Sequence, residues 1–144
     1  MTARPSARIV DFVAALPLRP GMRILEIGCG PGVAARLALA RIGSGYVLAI
    51  DRSARAVALA RAGSRPELAS GRLELRQVAI EHFALKAGEA RFDLAFAMRV
   101  GSLDGRHPKS AAQALAAIAA ALTPKGRLFI DGGEPLKELM LPSR

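Results

Sequence analysis

Between Ile24 and Leu37 the chain reads ILEIGCGPGVAARL, with three glycines in five residues set between two apolar stretches. Met22 to Ile27 has the composition of a short buried strand, and Val33 to Ile42 places Val33, Leu37 and Ala40 on one side of a helix. Gly43-Ser44-Gly45 ends that helix. A strand that turns through glycines straight into a helix cannot form a hairpin. It opens a crossover, and short strands joined by crossovers of this length run parallel.

The rest of the sequence keeps that rhythm. Pro5 and Ser6 open a helix that Pro17 closes, with Ile9, Phe12, Val13 and Leu16 forming one apolar stripe. Asp11 interrupts the run and no small-residue cleavage pattern ends it, so it reads as an amphipathic helix rather than a leader. Tyr46 to Ile50 is a second strand, too continuously apolar to have a wet face. Ser53 caps the helix SARAVALARAG. Residues 64 to 71, with Pro66, read as a loop, and Arg72 to Val78 alternates as a strand near an edge. Ala79 to Ala90 has room for a helical turn or two. Phe92 to Met98 is a fourth strand, Lys109 to Leu122 an Ala-rich helix, Thr123 to Gly126 a turn and Arg127 to Asp131 a fifth strand. The expectation is an α/β fold: one domain over residues 1–144 with a doubly wound, mostly parallel Rossmann-like sheet of about five strands. The N-terminal helix occupies 1–19 and a short tail 132–144.

Composition bounds the partners. The chain is 51% apolar with few aromatics, so its core is built from Leu, Ile, Val and Ala. The net charge is +9, from seventeen Arg and four Lys against 12 acidic residues. The Arg residues run from Arg4 to Arg144 without a basic block. Nucleic-acid binding is therefore possible but not favoured, and no apolar run reaches the length of a membrane span. The single cysteine, Cys29, excludes an internal disulfide and a cysteine-based zinc site; no metal site is expected, and a reducing, cytoplasmic setting is.

At the loop, Gly28 and Gly30 let the backbone turn off the first strand and Gly32 brings the helix start close to a ligand. Asp51 stands 23 residues after Gly28 at the end of the second strand, where a carboxylate can accept from both hydroxyls of a ribose. The other reading is that these are ordinary turn glycines and that Asp51 caps the helix after Ser53. A dinucleotide loop would place its third glycine at position 33, which is Val33; this disfavours a nicotinamide-dependent reductase.

With Glu26 two residues ahead of Gly28, the pattern E-x-G-x-G-x-G resembles motif I of the class I S-adenosylmethionine-dependent methyltransferases. YVLAID, FDLAFA and LTPKGRLFIDG resemble that family's second, fourth and fifth strands, so the resemblance spans roughly residues 20 to 131 in order. It implies S-adenosylmethionine as cofactor. It also implies that Glu26 lies beneath the loop and orients the methionine end, with Gly28, Cys29, Gly30 and Gly32 forming the close-approach loop. Asp51 would take the ribose hydroxyls and Arg52 would lie against an adenine face. The acid that often meets the adenine amino group is replaced here by Ala79, which leaves Ile80 for apolar contact and the backbone or Glu81 for the polar one.

The acceptor is expected beyond the fourth strand, over Met98 to His107. That stretch lacks the [DN]-P-P-[YF] tetrapeptide of amino-group methyltransferases and the Pro-Cys pair of cytosine C5 chemistry. Arg99 is a candidate for pairing an acceptor carboxylate or phosphate, against a structural salt bridge. His107 is a candidate base, against a surface loop histidine, and Asp104 is a weaker one. Family members usually continue after the fifth strand with a helix and an antiparallel hairpin. The 13 residues after Asp131 are too few for both, so a short, C-terminally truncated form lacking the hairpin is expected, with one short helix over Leu136 to Met140. The fifth strand would then be a sheet edge, covered by the tail or by a second subunit; a homodimer through that strand and Leu136, Leu139, Met140 and Leu141 is the corresponding expectation. Three functions stay open: a methyltransferase on a small-molecule acceptor, an RNA methyltransferase, and a non-catalytic module that binds the cofactor or S-adenosylhomocysteine.

Overall fold

The computed structural model describes residues 4–143; Met1 to Ala3, at the head of the expected N-terminal helix segment, and Arg144, at the end of the tail, lie outside the described residues. Helix α1 is Ala7–Ala15, β1 Arg23–Ile27, α2 Val33–Leu39, β2 Tyr46–Asp51, α3 Ala54–Gly63, α4 Arg65–Ala69, β3 Leu73–Gln77, β4 Phe92–Ala97, α5 Pro108–Ala121, β5 Leu122–Ile130 and β6 Lys137–Leu139. The strands form one sheet in the order β3-β2-β1-β4-β5-β6, parallel throughout except for β6. The chain winds outward from β1 to β3, returns to β4 and winds the other way. The strand order therefore reverses between β1 and β4, and a crevice opens at their carboxyl ends.

Strand alternation sorts the core into two layers. Ile24, Val47, Leu94, Phe96 and Phe129 face α1, α2 and α3 on one side. Leu25, Leu48, Ile50, Leu128 and Ile130 face α5 and the segment around Phe83 on the other. The apolar stripe of α1 is buried through Phe12, Val13 and Leu16, with Phe12 packed on Phe96 at 5.8 Å between ring centroids. The Ser6 and Ser53 hydroxyls accept from the Ile9 and Ala56 amides and so start α1 and α3 where the capping pattern put them. Among the described residues no helix is long and apolar enough to cross a membrane.

The α/β doubly wound class is as the sequence indicated, and four local readings are corrected. Residues 65–69 form a helix rather than a loop, because Pro66 falls in its first turn, where a missing amide costs nothing. The Thr123 to Gly126 turn is absorbed into β5 as an irregularity. Phe92 pairs with Leu122, but Leu94 pairs with Arg127, so extra residues bulge out between the two. The tail is not a helix over Leu136 to Met140. It is the sixth strand, pairing Leu128 with Leu139 and Ile130 with Lys137 in antiparallel register. The expected bare edge of β5 is therefore paired by the chain itself. Arg127 adds a salt bridge to Glu138 at 2.8 Å across that ladder. The open backbone of β5 overrode the weak helical periodicity of a three-residue segment, and the premise of a dimer across β5 goes with it.

Candidate functional site

The glycine loop leaves β1 and is tied at once to β2: the Gly28 and Cys29 amides both donate to the Ile50 carbonyl, at 2.8 and 2.9 Å. Gly28 has φ +72, and a Cβ placed there would lie 2.7 Å from Cγ2 of Val100, so only glycine lets β1 and the loop after β4 approach this closely. On the far side of the loop the Arg36 guanidinium donates to the Pro31 carbonyl at 3.0 Å and to the buried Ser64 hydroxyl at 2.8 Å, which braces the loop from α2 to the end of α3.

Asp51, at the end of β2, accepts from the Gly30 amide at 3.0 Å through Oδ2 and from the Ser53 amide at 2.9 Å through Oδ1. It thus does the local turn work that the alternative reading assigned to it, and it also binds the glycine loop. A carboxylate offers about four lone-pair sites, so two amides leave acceptor capacity on the face that lines the cleft.

Beneath the loop, Glu26 is 3% exposed and its Oε1 has no hydrogen-bond partner. Burial, and then the nearby Asp51 carboxylate, push its pKa up to about 8, against a smaller opposing pull from Arg36. Burial also raises the Cys29 thiol, to about 12, helped by Glu26 and Asp51; at neutral pH it is an inert thiol in the loop wall.

A cleft of about 980 Å³ runs across the carboxyl ends of β1, β2 and β4. Its inner half is lined by Gly28, Gly30, Asp51, Arg52 and the stretch Ala79, Ile80, Glu81. Ala79 precedes a single 3-10 turn, Ile80–His82, which is all the regular structure between β3 and β4; Ile80 is buried and Glu81 partly so. Glu26, Cys29 and Gly32 stand behind this wall rather than on it. The outer half is lined by Met98, Arg99, Val100, Ser102, Arg106 and His107, then Lys109 and Gln113 of α5.

The outer loop is held in a defined shape. Arg99 has φ +56, unusual for a residue with a side chain, and its amide donates to Oδ1 of Asp131 at 3.2 Å. The Arg99 carbonyl accepts from Arg106 at 2.7 Å, and Arg106 also pairs with Asp104 at 2.8 Å. Asp131 additionally pairs with Arg8 of α1. Asp104 therefore serves the loop, and the Arg106 hydrogen bond, the largest influence on it, lowers its pKa and so its basicity. The His107 amide donates to the Gly101 carbonyl at 2.9 Å and its ring lies against Gly101, leaving no room for a Cβ there. Sequence reasoning placed Arg99 and His107 on this loop but passed over Ser102, Lys109 and Gln113. Lys109 and Gln113 are four apart on one helix face, a signal visible only once α5 was known to face the cleft.

Residues 24–126 match the family model described as a methyltransferase domain. The chain belongs to the methyltransferase domain family. It is 32% identical over 122 residues to the ubiquinone biosynthesis O-methyltransferase of Xanthomonas campestris pv. campestris, covering 85% of this chain and 47% of that protein. It is 38% identical over 72 residues to the trans-aconitate 2-methyltransferase of Streptomyces avermitilis, covering 50% of this chain and 26% of that protein. The chain therefore spans half or less of the length of these relatives. Among solved structures it superposes on an S-adenosylmethionine-dependent methyltransferase from Mesorhizobium loti with a TM-score of 0.69 at 26% identity, over 86% of this chain and 53% of that one. It superposes equally well, with a TM-score of 0.69 at 28% identity over 85% of this chain and 43% of that one, on the [4+2]-cyclase SpnF.

Proposed function

We propose that this chain binds S-adenosylmethionine in the inner half of the cleft and transfers its methyl group to a small-molecule acceptor in the outer half. The observation that carries the reading is Glu26. A buried carboxyl with an unpartnered oxygen, directly under a glycine loop that is itself bound by Asp51, is costly unless a ligand completes it. A cofactor with a cationic amino acid end and a ribose diol fits both carboxylates. In this reading Asp51 accepts from the ribose hydroxyls, Glu26 orients the methionine end from beneath the loop, Gly28 and Gly30 give close approach, and Cys29 and Gly32 shape the loop behind them. Ala79 and Ile80 offer apolar contact to the adenine, Glu81 a polar one, and Arg52 covers a face of the ring.

The cofactor, when bound, supplies a methyl carbon activated by a positively charged sulfur. What remains for the chain is positioning: aligning the acceptor's lone pair with that carbon and keeping water out. Where the acceptor arrives protonated, His107 takes the proton on a ring nitrogen as the new bond forms. One domain over 1–144 and a cytoplasmic setting belong to the same proposal. The test is calorimetric titration with S-adenosylmethionine and S-adenosylhomocysteine, on the wild type and on Asp51→Ala. Micromolar binding that weakens at least tenfold in the variant is expected; no binding, or binding indifferent to Asp51, defeats the proposal.

A second reading has one specific observation behind it. The likeness to the [4+2]-cyclase SpnF means that this fold at this level of identity does not fix the reaction. A module that holds the cofactor without turning it over would bind in the same titration and fail to form S-adenosylhomocysteine with any acceptor.

A further inference from the structure

The outer side of the cleft, formed by the loop after β4 and the start of α5, brings several cations together. Arg99 and Arg106 line it from the loop and Lys109 from the helix, and the carboxylates on the cleft's lining are Asp51, at the end of β2, and Glu81, in the 3-10 turn that packs on α5. Asp104 within the loop after β4 is engaged by Arg106, and Asp131 after β5 by Arg8 and the Arg99 amide. Among the described residues, the Arg99 guanidinium and the Lys109 ammonium have no ion pair or hydrogen bond of their own. Two cations without a direct partner thus line one cleft.

A second feature is independent of charge. Ser102 is only 7% exposed, lines the cleft, and its hydroxyl makes no hydrogen bond among the described residues. That hydroxyl is reached from the cleft, so it is free to donate to or accept from a ligand there. Close by, α5 begins at Pro108 without a side-chain cap, since His107 at the cap position makes no such hydrogen bond. Its first turn brings Lys109 and Ser110 to the same cleft, with the partial positive charge of a fourteen-residue helix behind them. Arg99 is not a loose surface arginine either. Its left-handed backbone is held on both sides, by Asp131 at the amide and by Arg106 at the carbonyl, so its side chain leaves from a fixed point.

The geometry points to an anion subsite in the outer half: the acceptor is a small molecule carrying a carboxylate or phosphate, which is received by Arg99 and Lys109 and hydrogen-bonded by the Ser102 hydroxyl. This rests on the cofactor reading for its inner half, but the subsite can be probed separately. Arg99 and Lys109 act here as binding and orienting groups, and the neutral remainder of the acceptor extends inward past Val100.

The probes are tricarballylate, inorganic phosphate and the trimethyl ester of tricarballylate, each titrated calorimetrically into protein with and without saturating S-adenosylhomocysteine. Tricarballylate or phosphate binds and the neutral ester does not; whichever of the two binds more tightly identifies the group. Arg99→Gln and Lys109→Gln each weaken anion binding by tenfold or more, and Ser102→Ala weakens it severalfold. Affinity for S-adenosylhomocysteine and the melting temperature stay close to wild type in all three. Ester binding as strong as the acid, anion binding unchanged in the Arg99 and Lys109 variants, or binding by neither anion overturns the subsite. So does Arg99- and Lys109-dependent capture of a fluorescent single-stranded RNA when the small anions do not compete. Anion binding without any S-adenosylhomocysteine binding defeats the cofactor reading and leaves the subsite standing.

Discussion

Replacing Glu26 by Gln separates the electrostatic account of the site from a purely steric one. The Glu26 carboxyl has its pKa raised from the ordinary 4.5 to about 8 in the fold. Between those values the unfolded chain carries an ionised Glu26 and the folded chain a protonated one, so folding takes up a proton. Stability contributed by this group therefore falls as pH rises from about 4.5 to about 8, and levels off above. Each pH unit within that window is worth about 1.4 kcal/mol, so wild type loses roughly 4 kcal/mol between pH 5 and pH 8 that the Gln variant does not lose. For a chain of this size that corresponds to about 8–16 °C in melting temperature, at roughly 2–4 °C per kcal/mol. The assay is the melting temperature of both proteins, without ligand, in steps of half a pH unit. A constant offset from placing an amide in the pocket cancels, because only the change in the difference with pH is read. Asp51→Asn removes a carboxylate that raises the folded pKa, so the loss still begins near 4.5 but levels off at lower pH and is smaller in total. Parallel melting curves for wild type and Glu26→Gln from pH 5 to 8 would refute the reasoning.

Other consequences follow from the same geometry. Asp51→Ala frees the Gly30 and Ser53 amides, each a charge-assisted bond worth about 1.5–3 kcal/mol; besides weakening cofactor binding it lowers the urea midpoint. Gly28→Ala sets a methyl group 2.7 Å from Val100 at a positive φ and destabilises by about 1–3 kcal/mol. Val100→Ala in the same chain recovers part of that loss in a double-mutant cycle, and no recovery would mean that the contact is not the cause. Phe96→Ala empties the centre of the layer between α1 and the sheet and costs about 3–5 kcal/mol by urea denaturation. A chain ended after Asp131 loses β6 and bares the edge of β5. Light scattering coupled to size exclusion then shows self-association beyond that of the full chain, and an unchanged profile would deny β6 its protective role.

How much of this was legible in the chain depends on the range of the forces involved. Capping by Ser6 and Ser53, the stripe of α1 and the strand–loop–helix at Gly28 are decided within a few residues, and sequence reading placed them within a residue or two. The glycine loop and Asp51 as its acidic partner were also visible from their spacing, whereas the direct hydrogen bond from the Gly30 amide to Asp51 was not. The tail was misread because β6 has no local preference strong enough to show. Its three residues become a strand only because β5 offers unpaired backbone beside them. The role of Asp104 was similarly hidden: only in the fold does Arg106 turn back to hold it and the Arg99 carbonyl together.

The sequence by itself determined the alternation of strands and helices, the crossover that follows from it, and the glycine loop with its two carboxylates, since hydrophobic period and glycine spacing are properties of neighbours along the chain. Tertiary structure decided what those residues experience. Glu26 is raised toward neutrality because the sheet and helices exclude water from it, and Asp51 faces it because β1 and β2 pair in parallel register. The cationic outer half exists because α5 and the loop after β4 fold over the same end of the sheet, bringing Arg99, Ser102 and Lys109 from separate turns of the chain into one cleft.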